Sequence, residues 1–132
     1  KAIESICKPL SINPDFATAY EVDVFRVIIA GGRNFQDYDM LAAYMDFLLS
    51  KTTEDVEIVC GMARGADRLG EKYAMERGLQ IHRMPANWNK YGKTAGYKRN
   101  IEMADEADAL AAFWDGKSRG TAHMIETAKK RI

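Results

Sequence analysis

Val56-Glu57-Ile58-Val59-Cys60-Gly61-Met62-Ala63-Arg64-Gly65-Ala66-Asp67 decides how this chain is read. A short apolar run, Val56 to Cys60, is followed by a glycine-bearing turn, and that turn opens an amphipathic run from Ala66 to Arg77. Strand, turn and helix N-terminus in that order form a device for holding anions. Glycine lets backbone come close to a ligand, and the first free amides of the helix point at whatever negative charge sits there. The helix places Ala66, Leu69, Gly70, Tyr73 and Ala74 on one face, small enough for close packing on a sheet, and Gly78 ends it.

Working outward, the same order of elements holds on both sides. Phe25 to Ala30 is apolar except for Arg26 and ends in Gly31-Gly32-Arg33, which reads as a buried parallel strand with its turn. The helix after it, from about Tyr38 to Ser50 with Asp37 as cap, carries the stripe Leu41, Tyr44, Met45, Leu48 and Leu49. Gln80 to Met84 is a third strand, alternating and more polar, as suits an edge. Ala86 to Gly96 reads as a loop, Ala95 to Glu106 as a helix, and Ala109 to Trp114 as a fourth buried strand. Its turn is Asp115-Gly116-Lys117-Ser118-Arg119-Gly120-Thr121, and a last helix sets Thr121, Ile125, Ala128 and Ile132 on one side. The alternation implies an α/β, Rossmann-like three-layer fold: an open, mainly parallel sheet of about four core strands with helices on both faces. Residues 1–24 read as an N-terminal arm and residues 25–132 as the ligand-binding domain. In the strand order 3-2-1-4 the fourth strand, apolar enough for a centre, falls at an edge. The arm or a second subunit, making a homo-oligomer, should then cover it.

The 132 residues suffice for one domain with a real core, and 47% hydrophobic with 29% charged residues is ordinary for a globular protein. Nineteen basic residues balance nineteen acidic ones, so no global field draws the chain onto nucleic acid or an anionic membrane. Cys7 and Cys60 are too few for a disulfide scaffold and suit a reducing cytosol, so the location expected is cytoplasmic. No apolar stretch is long enough to span a membrane, and two histidines with two distant cysteines show no metal spacing. No cofactor and no metal are expected.

In an open parallel sheet every strand-to-helix turn lies at the carboxyl edge, and ligands bind where the strand order reverses. Six of the ten glycines fall in three such turns, and each turn carries an arginine: Arg33, Arg64 and Arg119. Arginine's planar fork suits phosphate oxygens. Gly116-Lys117-Ser118 is not a Walker A loop, because Ala111 stands where its first glycine belongs, and no G-x-G-x-x-G is present. Asp67 and Asp115 can each bind a ribose hydroxyl, act as acid or base, or cap a helix. Arg99 and Asn100 open a helix beside a basic loop, where ligand contact is expected. Trp88 and Tyr91 can stack on a base or cover the core. Cys60 reads as core, His82 as an edge-strand surface residue, and His123 as a residue that could reach the site.

At these turns the sequence resembles the SLOG superfamily of Rossmann-like domains, which includes the Lonely Guy phosphoribohydrolases and the DNA-processing protein A. It is most similar to the stand-alone YspA-like branch found in bacteria and phages. The resemblance runs from about Phe25 to Ile132. It rests on Ala30-Gly31-Gly32-Arg33, Cys60 to Asp67, Ala86-Asn87-Trp88, Gly96-Tyr97-Lys98-Arg99-Asn100 and Asp115 to Thr121. Met62 departs from it, standing where a third small residue is expected. The resemblance implies a bound nucleotide or nucleotide-derived ligand, held by a sensor or sequestering module. The ligand-binding set on this reading is Gly31, Gly32, Arg33, Gly61, Arg64, Gly65, Asp67, Trp88, Arg99, Asn100, Lys117, Ser118, Arg119, Gly120 and Thr121.

The alternative is a phosphoribohydrolase-like enzyme cleaving an N-glycosidic or phosphoester bond, with Asp67, Asp115 or Glu126 as catalytic candidates. The Lonely Guy turn G-G-x-G-T-x-x-E counts against it: Gly120-Thr121 is present, but Met124 takes the place of the glutamate and Glu126 lies further along. A third reading is single-stranded nucleic-acid binding, on the interleaved Trp88, Lys90, Tyr91, Lys93, Tyr97, Lys98 and Arg99. Zero net charge and the shortness of that stretch stand against it.

Overall fold

A computed structural model describes the backbone of residues 2–7 and, in full, residues 24–132. Five strands form one sheet: β1 (Ala2–Cys7), β2 (Val24–Gly31), β3 (Asp55–Cys60), β4 (Gln80–Arg83) and β5 (Ala109–Trp114). The spatial order is β1-β5-β2-β3-β4. The four strands read from the sequence are all parallel and stand in the order 3-2-1-4 when counted among themselves. The long helices are α1 (Tyr38–Leu49), α2 (Ala66–Arg77), α4 (Ala95–Glu106) and α5 (Arg119–Arg131). The stretch read as a loop after β4 holds a short helix, α3 (Trp88–Tyr91), and a 3-10 turn, Gly92–Thr94. Asn87 starts that short helix, its side chain accepting from the Lys90 amide at 3.1 Å.

Period-two alternation in the strands builds the layers. Val27, Ile29, Ile58, Cys60, Ala109, Ala111 and Phe113 face one side, where Leu41 and Met45 of α1 and Tyr73 and Ala74 of α2 close over them. Ile28, Ala30, Val59, Leu110 and Ala112 face the other, against Met103 and Ala104 of α4 and Met124, Ile125 and Ala128 of α5. The stripes expected on these helices are the faces that are buried. Among the described residues no helix is long and apolar enough to cross a membrane.

Two edge expectations can be placed. The polar third strand is an edge among the described residues, where β4 pairs only with β3. The apolar fourth strand is flanked on both sides, because β1 pairs with it antiparallel from Ala2 opposite Trp114 to Cys7 opposite Ala109. The arm assigned to residues 1–24 therefore contains a strand that covers β5 from within the chain. Residues 8–23 lie outside the described residues, and the reading of the arm there lies outside them too.

Helix α2 packs most closely at Gly70, where a β-carbon would fall 2.8 Å from both Cβ and Cγ2 of Ile29. Ile29 is fully buried and has no room to yield. Alanine gains about 1 kcal/mol of helix propensity over glycine, whereas overpacking a filled core costs about 1–3 kcal/mol. Gly70→Ala should therefore lower the melting temperature by a few degrees, and a rise on thermal denaturation would show that this seam is loose.

Candidate ligand-binding cleft

The turns after β2, β3 and β5 meet at the carboxyl edge of the sheet, at the reversal between β2 and β5. They and the segment from Pro85 to Met103 enclose a cleft of about 880 Å³, at the upper end of the usual range for small-molecule sites. Of the ligand-binding set, Gly31, Gly32, Arg33, Gly61, Arg64, Asp67, Trp88, Arg99, Asn100 and Lys117 through Thr121 line it. Gly65 does not. It lies behind the wall, where the second turn crosses the first. Its φ is +78°, and a β-carbon there would fall 2.6 Å from the Arg33 carbonyl. The Ala66 amide donates to the Gly32 carbonyl at 3.2 Å across this crossing.

Asp67 is buried at 5% exposure, in the first turn of α2. It is not the helix cap; Gly65 holds that position. Its Oδ2 accepts from the Ala63 amide at 3.1 Å, which fixes the curve of the turn. Burial pushes its carboxyl up to about 6, against the opposing pull of that amide, Arg99 and Arg68. Asp115 is the reverse case. It is exposed, and its Oδ1 accepts from the Lys117 and Ser118 amides, both at 2.8 Å. Those two bonds hold its carboxyl below the usual range. Asp115 shapes the third turn as an Asx-type bend. Glu126 is not part of the cleft lining. It is exposed on α5, 3.8 Å from Lys129.

Helix α4 connects the turns. The Arg99 guanidinium donates through Nη1 to the Gly61 carbonyl, and its Nε donates to Asn100 Oδ1 at 3.1 Å. Burial lowers the Arg99 pKa, Asp67 acts to raise it, and Arg33 adds to the lowering. Asn100, itself buried, donates from Nδ2 to the Gly120 carbonyl at 3.3 Å and stands 3.1 Å from His123 Nδ1. His123 therefore meets the site through Asn100 and through Tyr97, whose ring lies 4.3 Å from its own. Burial and Lys130 hold its pKa below the ordinary value.

The other sequence candidates separate cleanly. Trp88 lines the cleft and is 53% exposed, so it covers no core. Tyr91 lies outside the lining, with the Lys90 and Lys98 ammonium groups 5.0 and 4.8 Å from its ring. Lys93 and Tyr97 do line the cleft, as do Asn34, Met103 and Met124, which were not in the ligand-binding set. Cys60 is buried, and burial pushes its thiol up to about 12, which excludes an active nucleophile. His82 is a partly exposed residue of the edge strand, 3.1 Å from Glu106.

Fold and cleft together define a Rossmann-like domain with a cationic site at the strand-order reversal. The sequence profile of the YspA, cpYpsA-related SLOG family matches residues 25–91. The chain is 35% identical over 113 residues to the Gene 61 protein of Mycobacterium phage D29, an alignment spanning 80% of this chain and 89% of that protein. The chain belongs to the YspA, cpYpsA-related SLOG family. No solved structure matches it.

The buried Asp67 makes a pH prediction with a definite sign. Its folded-state pKa is raised, so the folded state holds the proton more tightly, and stability is lost as pH rises from about 4 through about 6. Asparagine keeps the acceptor for the Ala63 amide and carries no charge. Asp67→Asn should match wild type near pH 4 and exceed it by about 2–3 kcal/mol at pH 8, the equivalent of a shift of about two units. Urea denaturation across that range checks it, and a difference independent of pH would contradict a buried, proton-holding carboxyl.

Proposed function

We propose that this protein binds a phosphorylated, nucleotide-derived ligand in the cleft, as a sensor or sequestering module. One observation carries the reading. Of the nine arginines in the chain, Arg26, Arg68, Arg77, Arg83 and Arg131 lie outside the cleft, and each pairs with a carboxylate. Arg33, Arg64, Arg99 and Arg119 line the cleft, and among the described residues none of them has an ion-pair partner. Lys93 and Lys117 bring two more cations to the lining. Only Asp67 and Asp115 oppose these six, and Asp115 is already engaged by two amides.

The N-terminus of α5 supports the same reading. Ser118 makes no side-chain cap bond, the first turn holds no acidic residue, and among the described residues no acceptor serves the Arg119, Gly120 and Thr121 amides. A helix dipole contributes roughly 0.3–1 kcal/mol per charge, and each charge-assisted bond about 1.5–3 kcal/mol. Two or three of each hold a nucleotide at about micromolar affinity after association costs.

Isothermal titration with a panel of nucleotides tests this. Saturable binding should weaken about tenfold to a hundredfold in Arg64→Ala, which removes one charge-assisted contact from an exposed side chain. Arg68→Ala, one helical turn away and paired with Glu71, should bind as wild type does. Equal losses in both variants, or no binding of any phosphorylated compound, would refute the reading.

A second reading, hydrolysis of an N-glycosidic or phosphoester bond, is favoured by Asp67 alone. A cleft carboxyl raised to about 6 is suited to donate or accept a proton near neutral pH. Release of base or phosphate from nucleoside monophosphates, abolished in Asp67→Asn while binding persists, would establish it. Absence of turnover in the wild type removes it.

A further inference from the structure

A second, smaller pocket of about 110 Å³ lies beside the cleft at the reversal between β2 and β5. Gly32, Asn34 and Asp115 border both cavities. The remaining walls are Phe35, Met40, Phe113 and Trp114, so this pocket is aromatic where the cleft is cationic. We propose that it seats one flat six-membered heteroaromatic ring, a pyrimidine base or a nicotinamide, of a ligand whose phosphate lies in the cleft. The inference rests on the reading of the cleft as a phosphate site.

Size, surface and polarity each support a single ring. An apolar cavity of about 150 Å³ in another protein holds benzene, so about 110 Å³ takes one ring at most, with its polar edge at the border shared with the cleft, and is too small for a fused purine. The walls are fixed by the core. The Phe35 and Phe113 rings are 5.2 Å apart at 36°, and Tyr44 meets Phe113 edge-on at 6.0 Å. The Trp114 indole is held by its Nε1 donating to the Ser118 carbonyl at 3.0 Å. Aromatic walls favour a planar guest, and the Met40 thioether adapts to its outline. The ring's polar edge then needs partners at the shared border. The Asn34 side-chain amide makes no hydrogen bond among the described residues and offers both donor and acceptor. Asp115 uses Oδ1 for its two amides, which leaves Oδ2 to accept from an exocyclic amino group.

Isothermal titration of the full chain tests the pocket with cytidine, uridine and adenosine 5′-monophosphates, nicotinamide mononucleotide, and ribose 5-phosphate, which carries no base. At least one single-ring nucleotide should bind tenfold or more tighter than both ribose 5-phosphate and the adenosine compound; which one does so identifies the ring. Met40→Phe, which fills the pocket, should remove that advantage and leave ribose 5-phosphate affinity unchanged. If that variant fails to fold, Asn34→Ala at an exposed side chain should narrow the advantage at least threefold. Adenosine monophosphate binding as tightly as the single-ring compounds overturns the proposal, and so does an advantage that survives both variants. Ribose 5-phosphate binding with no base preference refutes the small pocket and leaves the phosphate reading standing; no binding of any of the five also refutes the small pocket, and the wider nucleotide panel then decides the phosphate reading.

Discussion

The Arg99 guanidinium donating to the Gly61 carbonyl holds the site together. It ties α4, which lies over one face of the sheet, to the turn after β3. The next residue, Asn100, extends the link to Gly120 in the first turn of α5 and to His123. Three segments far apart in sequence thus share one part-buried polar chain. Its anchor is a partly buried cation that donates to the Gly61 carbonyl and to Asn100, with no carboxylate in ion-pair contact among the described residues. Burying charge without full compensation costs stability. Asp67, a carboxyl buried nearby, adds a cost of its own. Met62, which replaces a small residue in the same turn, sits at φ +65°, a conformation costing a non-glycine residue roughly 1–2 kcal/mol. Backbone strain of this kind clusters at active sites, ligand clamps and switch regions.

The hydrogen-bond inventory moves the centre of the site. By sequence, Gly61 to Asp67 looks like the anion cradle, with helix amides free to point at a phosphate. In the structure the Ala63 amide is taken by Asp67 and the Ala66 amide by the Gly32 carbonyl. What this turn offers a ligand, besides its remaining amides, is Arg64 and the Asp67 carboxyl. The turn after β5 keeps its first three helix amides open among the described residues, against two, Asp67 and Arg68, at the start of α2, and has Arg119 and Lys117 beside them. The middle turn works mainly as a frame. Its crossing over the first turn at Gly65 and its carbonyl bond to Arg99 set where the cations of the other segments stand.

How legible this was follows from the range of each interaction. The parallel strands and long helices are written in local periodicity, and the expected stripes lie on their buried faces, although Tyr44, Leu48, Leu49, Leu69 and Ile132 are only half-buried. Strand β1 is not. Ala2–Cys7 places its two isoleucines, Ile3 and Ile6, three apart, which fits neither face of a strand. Its partner is more than a hundred residues away. The four-residue helix α3 is too short to show a period, and only Asn87 at its cap signals it. Asp67 in the first turn of a helix looks like a cap or a solvated acid, and its burial depends on how turn and helix α4 close around it. Most of the pairing of the arginines is equally hidden from local reading. Arg26 finds Glu57 across 31 positions, Arg83 finds Glu71 across 12, and Arg131 finds Asp105 across 26.

That pairing also gives the chain's neutrality a meaning. The balance of nineteen against nineteen hides a division among the arginines: those outside the cleft meet carboxylates, and among the described residues those lining it form no ion pair. Fields from paired charges cancel within about a Debye length, roughly 8–10 Å, while an unpaired cluster between low-dielectric walls keeps its potential. A small anion that enters the cleft meets six cations, two nearby carboxyls of which one is already bonded to backbone, and a set of open helix amides. The proposed preference for a compact phosphorylated molecule therefore rests on where the acids are placed as much as on where the arginines are.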